Sequence, residues 1–119
     1  MSLLDFKSKF GPTKVEVEGQ AFYVSVLSAL EKDRFDLQYA VFRGEGGGVG
    51  LRGFLTAFCL CNKDGKKDFS SGNNKEPSKE FLDAVQTIGQ LPVTVVEPIF
   101  EAACEVNGFN TGDEGSAKN

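Results

Sequence analysis

Between Phe54 and Phe109 the chain passes an apolar run at helical spacing, an Asp64-Gly65 pair, prolines at 77 and 92 that precede further apolar runs, and Asn107-Gly108. Punctuation in that order leaves room for short helices with one tight hairpin turn among them, and for little else. Leu51, Phe54, Leu55 and Phe58 recur at helical spacing. Cys59 to Asn62 can continue that helix or extend into a strand entering Asp64-Gly65, and the strand is favoured. Its return through Lys67 to Phe69 makes a small hairpin able to share a sheet with strands upstream.

Upstream, Lys14 to Leu27 alternates: Val15 and Val17 share one face, Glu18-Gly19 is the turn, and Phe22, Val24 and Val26 share one face of the return. This predicts a β-hairpin. Ser28 followed by Glu31 forms a capping box, so a helix starts there and is expected to run to about Arg43. Leu30, Leu37 and Val41 make one stripe of it and Phe35, Tyr39 and Phe42 another, a broad apolar face opposite Glu31, Lys32 and Asp36.

From Gly44 to Gly50 five of seven residues are glycine, and their backbone entropy predicts a flexible connector. Ser70 to Glu76 reads as a surface loop leading to Pro77. Phe81, Leu82, Val85 and Ile88 mark a short helix ended by Gly89, and Leu91-Pro92 opens the last one. There Val95, Val96, Ile99, Phe100 and Ala103 share a face, with a kink or late start expected between Val95 and Pro98 because proline lacks the amide donor.

At 119 residues one domain is expected, with an N-terminal arm over 1–12, a globular unit over 13–109 and a disordered tail over 110–119. The predicted class is α+β and mainly helical: about four helices with a small antiparallel sheet near the N-terminus. Eleven Phe with no Trp and two Tyr make a core of rings mostly free of polar atoms. Each adds roughly 1.5–3 kcal/mol of gross burial energy.

A net charge of -4, from 13 basic and 17 acidic residues dispersed along the chain, argues against a nucleic-acid partner, since no basic block is there to neutralise phosphates. No apolar run approaches the roughly 20 residues that cross a bilayer, so no membrane partner is expected.

Catalytic constellations are missing from the pattern. The chain has no His, so Ser25 and Ser28 cannot form a hydrolase triad. Cys59, Cys61 and Cys104 read as small buried hydrophobes, because tetrahedral zinc would need a carboxylate as its fourth ligand. Acid pairs such as Asp33 with Asp36 and Glu97 with Glu101 read as solvated helix faces. Gly48, Gly50 and Gly53 match G-x-G-x-x-G, but a helix precedes them where a dinucleotide site needs a strand. No enzyme activity, metal or cofactor is expected, and the candidate site residues are interface anchors: Phe6, Phe10 and Phe42, rings in or beside segments read as mobile.

In order and spacing, "FYVSVLSALEKDRFDLQYA", "LRGFLTAFCLCNKDGKKDFS" and "AVQTIGQLPVTVVEPIFEAACEVNGF" resemble the tail assembly chaperones of long-tailed bacteriophages and prophages. The likeness covers roughly Val17 to Phe109. It implies a protein that binds the tape measure protein in the cytoplasm of the bacterial host, keeps it soluble while major tail (tube) protein subunits assemble around it, and is absent from the mature virion. It also implies weak self-association and a longer product of the same gene, made by frameshifting, of which this chain would be the short form. A structural or adaptor subunit of the tail or neck is the alternative within that class. A small-molecule-binding domain using the glycine segment is the alternative outside it.

Overall fold

The computed structural model describes residues 10–46 and 49–109. Phe6, most of the arm and the tail from residue 110 lie outside the described residues, as does the middle of the glycine run. Among the described residues the fold is α+β and mainly helical, with four helices and a three-stranded antiparallel sheet.

β1 (Thr13–Val17) and β2 (Gln20–Val24) form the N-terminal hairpin, with Val15 opposite Phe22. Glu18 and Gly19 both take positive φ, 52° and 81°, which gives the two-residue turn the twist that its strands need. α1 (Ala29–Gly46) follows, opened by the predicted capping box: Glu31 N–H donates to Ser28 Oγ at 3.1 Å, and Ser28 N–H donates to Glu31 Oε1 at 2.9 Å. α1 does not stop at Arg43. Gly44 to Gly46 stay helical, because each added residue continues an established ladder without a new nucleus, so the connector is shorter than expected.

After α2 (Leu51–Cys59), β3 (Leu60–Cys61) pairs with β2, Tyr23 opposite Cys61, so the favoured strand is present and joins the first hairpin. Its return is reduced to a single bridge between Cys61 and Lys67. Lys67 spends its side chain elsewhere: its Nζ donates to the Phe58 carbonyl at 2.7 Å, near the C-terminal end of α2, and lies 3.5 Å from Glu31 Oε2. A cation placed there satisfies a carbonyl that the helix ladder leaves open.

α3 (Lys79–Gly89) begins at Ser78, whose Oγ accepts from Phe81 N–H at 3.2 Å. α4 (Val93–Asn107) starts at once after Pro92 and contains Pro98. The late start is not found: the Val95 and Val96 N–H groups donate to the Pro92 carbonyl, establishing the first turn before Pro98 is reached. Gly108, at φ 73°, ends α4 as Asn107-Gly108 predicts; its N–H donates to Glu105 O while Phe109 N–H donates to Cys104 O.

The core is an aromatic cluster centred on Phe54, which is fully buried. Phe42, Phe81, Tyr39 and Phe35 bring their ring centroids to 5.0, 5.1, 5.3 and 5.6 Å from it. Such edge and tilted contacts contribute about 0.5–1.5 kcal/mol each beyond area burial. The face α1 turns inward is Phe35, Gln38, Tyr39 and Phe42. Leu30 and Leu37 were expected on that face, yet they are 67% and 51% exposed. At about 100° per residue they lie between a third and half a turn from each of the buried rings, on the outward side of α1.

Two glycines of the G-x-G-x-x-G match have packing roles. A Cβ at Gly53 would sit 2.9 Å from the Val85 carbonyl, so its absence lets α2 and α3 touch backbone to backbone. Gly50 caps α2 at φ 104°, where a Cβ would also strike the Phe42 ring. Gly48 lies outside the described residues.

Candidate interaction groove

α1 is spaced from α2 and α4 by rings, and where the rings stop short an open groove of about 840 Å³ remains. Its apolar lining comes from Phe35, Tyr39, Leu55, Phe100 and Phe109, with Val49 and Leu51 at the mouth. Each is placed by a local rule. Phe35 and Tyr39 are four apart on α1, and their rings stack at 5.7 Å. Phe109 follows the Gly108 stop, where an apolar residue commonly folds back on its helix, and its ring reaches Phe35 at 5.5 Å.

Charged groups lie at the rim and are paired. Lys32 Nζ donates to Asp36 Oδ1 at 2.7 Å and sits 5.1 Å from the Phe109 ring centre. The Arg52 guanidinium donates to Glu97 and lies 5.4 Å from the Phe100 ring centre, so Glu97 is engaged in an ion pair instead of simply solvated. An apolar floor of this kind suits the apolar face of an amphipathic helix.

Phe10 is 57% exposed. Phe42 is half-buried, packed against Phe54 and Tyr39, so its ring supports the core and α1 together. The two rings are not brought together with the groove: neither lines it. Phe6 lies outside the described residues. Sequence reasoning missed Phe109 and Tyr39 as groove residues, and for Phe109 the signal was its place directly after the helix-ending glycine.

The thiols sit as apolar fillers. Cys59, Cys61 and Cys104 are free and buried; burial pushes the Cys59 thiol up to about 12 and that of Cys104 to about 11. Among the described residues no group of three or more His, Cys, Asp or Glu is placed to hold a metal ion, and no helix is long and apolar enough to cross a membrane.

Two polar side chains lock the scaffold around the groove. The fully buried Gln38 donates through Nε2 to the Asn74, Gly72 and Ser71 carbonyls at 2.8, 3.2 and 3.3 Å, pinning the loop after β3 to α1. Asn107 ties the end of α4 to the link between β2 and α1, through Leu27 and Ser25. Nothing in the local sequence pattern marks either residue for that task.

No protein-family model, curated protein or solved structure matches the chain.

Proposed function

We propose that this protein is a tail assembly chaperone of the kind its sequence resembles, and that it binds amphipathic helical segments of a tape measure protein in the groove between α1, α2 and α4. The observation that supports this reading is the groove: aromatic at its floor, open along its mouth and rimmed by charge. A long helical protein awaiting its tube displays apolar stripes that would otherwise aggregate. Covering them with many small domains, each held by a modest interface, keeps the chain soluble and leaves every contact displaceable by tube subunits.

In this reading the protein acts in the bacterial cytoplasm, together with a longer frameshifted form, and leaves before the particle is complete. Mass spectrometry of purified particles separates it from a tail or neck subunit, which would remain.

A groove of this volume also has the size of a small-molecule site. The charged side chains at its rim are already engaged with one another, however, and a small ligand needs free polar groups to fix its orientation.

The test is co-expression with the long helical protein encoded downstream. The wild-type chain should raise its soluble fraction and co-purify with it. Val49→Asp and Leu51→Asp place charge at the groove mouth on residues that are 78% and 38% exposed, so they should abolish co-purification without unfolding the domain. Equal solubility with and without the chain would refute the chaperone reading, and undiminished binding by both variants would refute the groove.

A further inference from the structure

The strand order leaves β1 at an edge of the sheet. Because the hairpin closes with a two-residue turn, Val17 and Gln20 form its terminal hydrogen-bonded pair, and alternation then directs the main-chain groups of Thr13, Val15 and Val17 toward β2. Those of Lys14 and Glu16 point outward. Among the described residues no backbone hydrogen bond reaches them from beyond the hairpin. Both side chains are exposed, at 54% and 68%, on the same face of the strand, where Lys14 Nζ lies 3.4 Å from Glu16 Oε2. An open, regular edge of this kind is a template for another strand.

We propose that the β1 edge is a self-association surface, on which a second copy of this chain pairs antiparallel about a two-fold axis through Val15. In that register Lys14 lies directly opposite Glu16 of the partner, and the two exchange main-chain hydrogen bonds; symmetry repeats the arrangement on the other side of Val15. The two sheets become one.

Charge selects this register. Sliding the strands by two residues either way sets Lys14 against its own copy or Glu16 against its own copy, and like charges directly opposed are destabilising. Sliding by one residue sets outward-facing main-chain groups against groups already bonded to β2. Only the Val15-centred pairing satisfies the backbone without opposing like charges, and the two-fold axis adds a partner's opposite charge on both sides to the Lys14–Glu16 pair that each strand already holds. Symmetry does not place those charges on an unrelated strand. Pro12, next on the outward side, offers a carbonyl but no N–H, so the ladder is short and the association weak. No residue of β1 lines the groove, so this pairing stands apart from the proposed helix binding.

Sedimentation velocity over a concentration series at low salt is the experiment, with urea midpoints confirming that each variant is folded. The wild-type chain should pass from monomer to dimer. Lys14→Glu or Glu16→Lys alone should weaken the dimer by about tenfold or more, since each makes both cross-strand pairs like-charged, while the double exchange should restore it. In the unmodified chain, the Lys14 and Glu16 amides should gain hydrogen-exchange protection as concentration rises, while the Val15 amide, already bonded to β2, should not depend on it. A chain that stays monomeric, a dimer indifferent to both single reversals, or a dimer whose Lys14 and Glu16 amides stay unprotected would each overturn the proposal.

Discussion

Asn107 Oδ1 accepts the Leu27 N–H at 2.7 Å across 80 residues of sequence, and the same carboxamide donates through Nδ2 to the Ser25 carbonyl at 3.1 Å. One side chain thus satisfies a donor and an acceptor in the irregular link between sheet and first helix, while Ser25 N–H bonds to the Cys59 carbonyl at 2.9 Å. The link is held from both sides.

Replacing Asn107 by Leu should destabilise the fold by about 2–4 kcal/mol, because two partly buried backbone groups lose their partners together. Asn107→Asp keeps the acceptor for Leu27 but loses the donor and sets a carboxylate against the Ser25 carbonyl, so it should also be costly despite its matching shape. Urea denaturation measures both. A loss below about 0.5 kcal/mol in each would show that water replaces the carboxamide without penalty.

Gly53→Ala runs against helix propensity, which favours Ala by roughly 1 kcal/mol. With the Val85 carbonyl 2.9 Å from the new Cβ, α2 and α3 must separate, and the contact is with backbone that cannot rotate away. The expected net effect is a destabilisation of about 1–3 kcal/mol, read from thermal or urea midpoints. A stabilised variant would mean that the helices have room to part.

Burial raises the Glu31 carboxyl's pKa, but the Ser28 N–H and the Lys67 ammonium outweigh it, and the result lies below the ordinary value of 4.5. With the folded value depressed, the carboxylate contributes stability that is present above the unfolded pKa and lost as pH falls through the folded one. Acid titration of stability should therefore be less steep below pH 4.5 in Glu31→Gln than in the wild-type chain. Parallel acid-side slopes would show that Glu31 contributes no such linkage.

Buried thiols with raised pKa values make poor nucleophiles. At pH 8, alkylation of Cys59 and Cys104 should follow the rate of opening of the fold, and should accelerate in urea in step with unfolding. Rapid labelling of either in the native protein, resolved by peptide mapping, would contradict their placement.

Much of the architecture was legible along the chain because it depends on neighbours in sequence. The Glu18-Gly19 turn, the Ser28-Glu31 box, the Asp64-Gly65 turn and the Gly108 stop are each decided within a few residues by φ preferences and capping geometry. Periodicity likewise placed Phe54, Phe58, Phe81, Val85 and Phe100 on buried faces. Where two apolar stripes competed on α1, periodicity could not rank them: the aromatic one is buried because its rings reach Phe54, and that depends on where α2 lies.

The sequence by itself determined the element types, most of their ends and an aromatic core, since those follow from local sterics and the removal of rings from water. The tertiary structure alone decided which surfaces remain. It set Tyr39, Phe100 and Phe109 along one groove, gave Gln38 and Asn107 their distant carbonyl and amide partners, and left the outward side of β1 without a backbone partner among the described residues. Such features depend on distances between segments far apart in the chain, and those distances are set by packing many side chains at once, which no local pattern encodes.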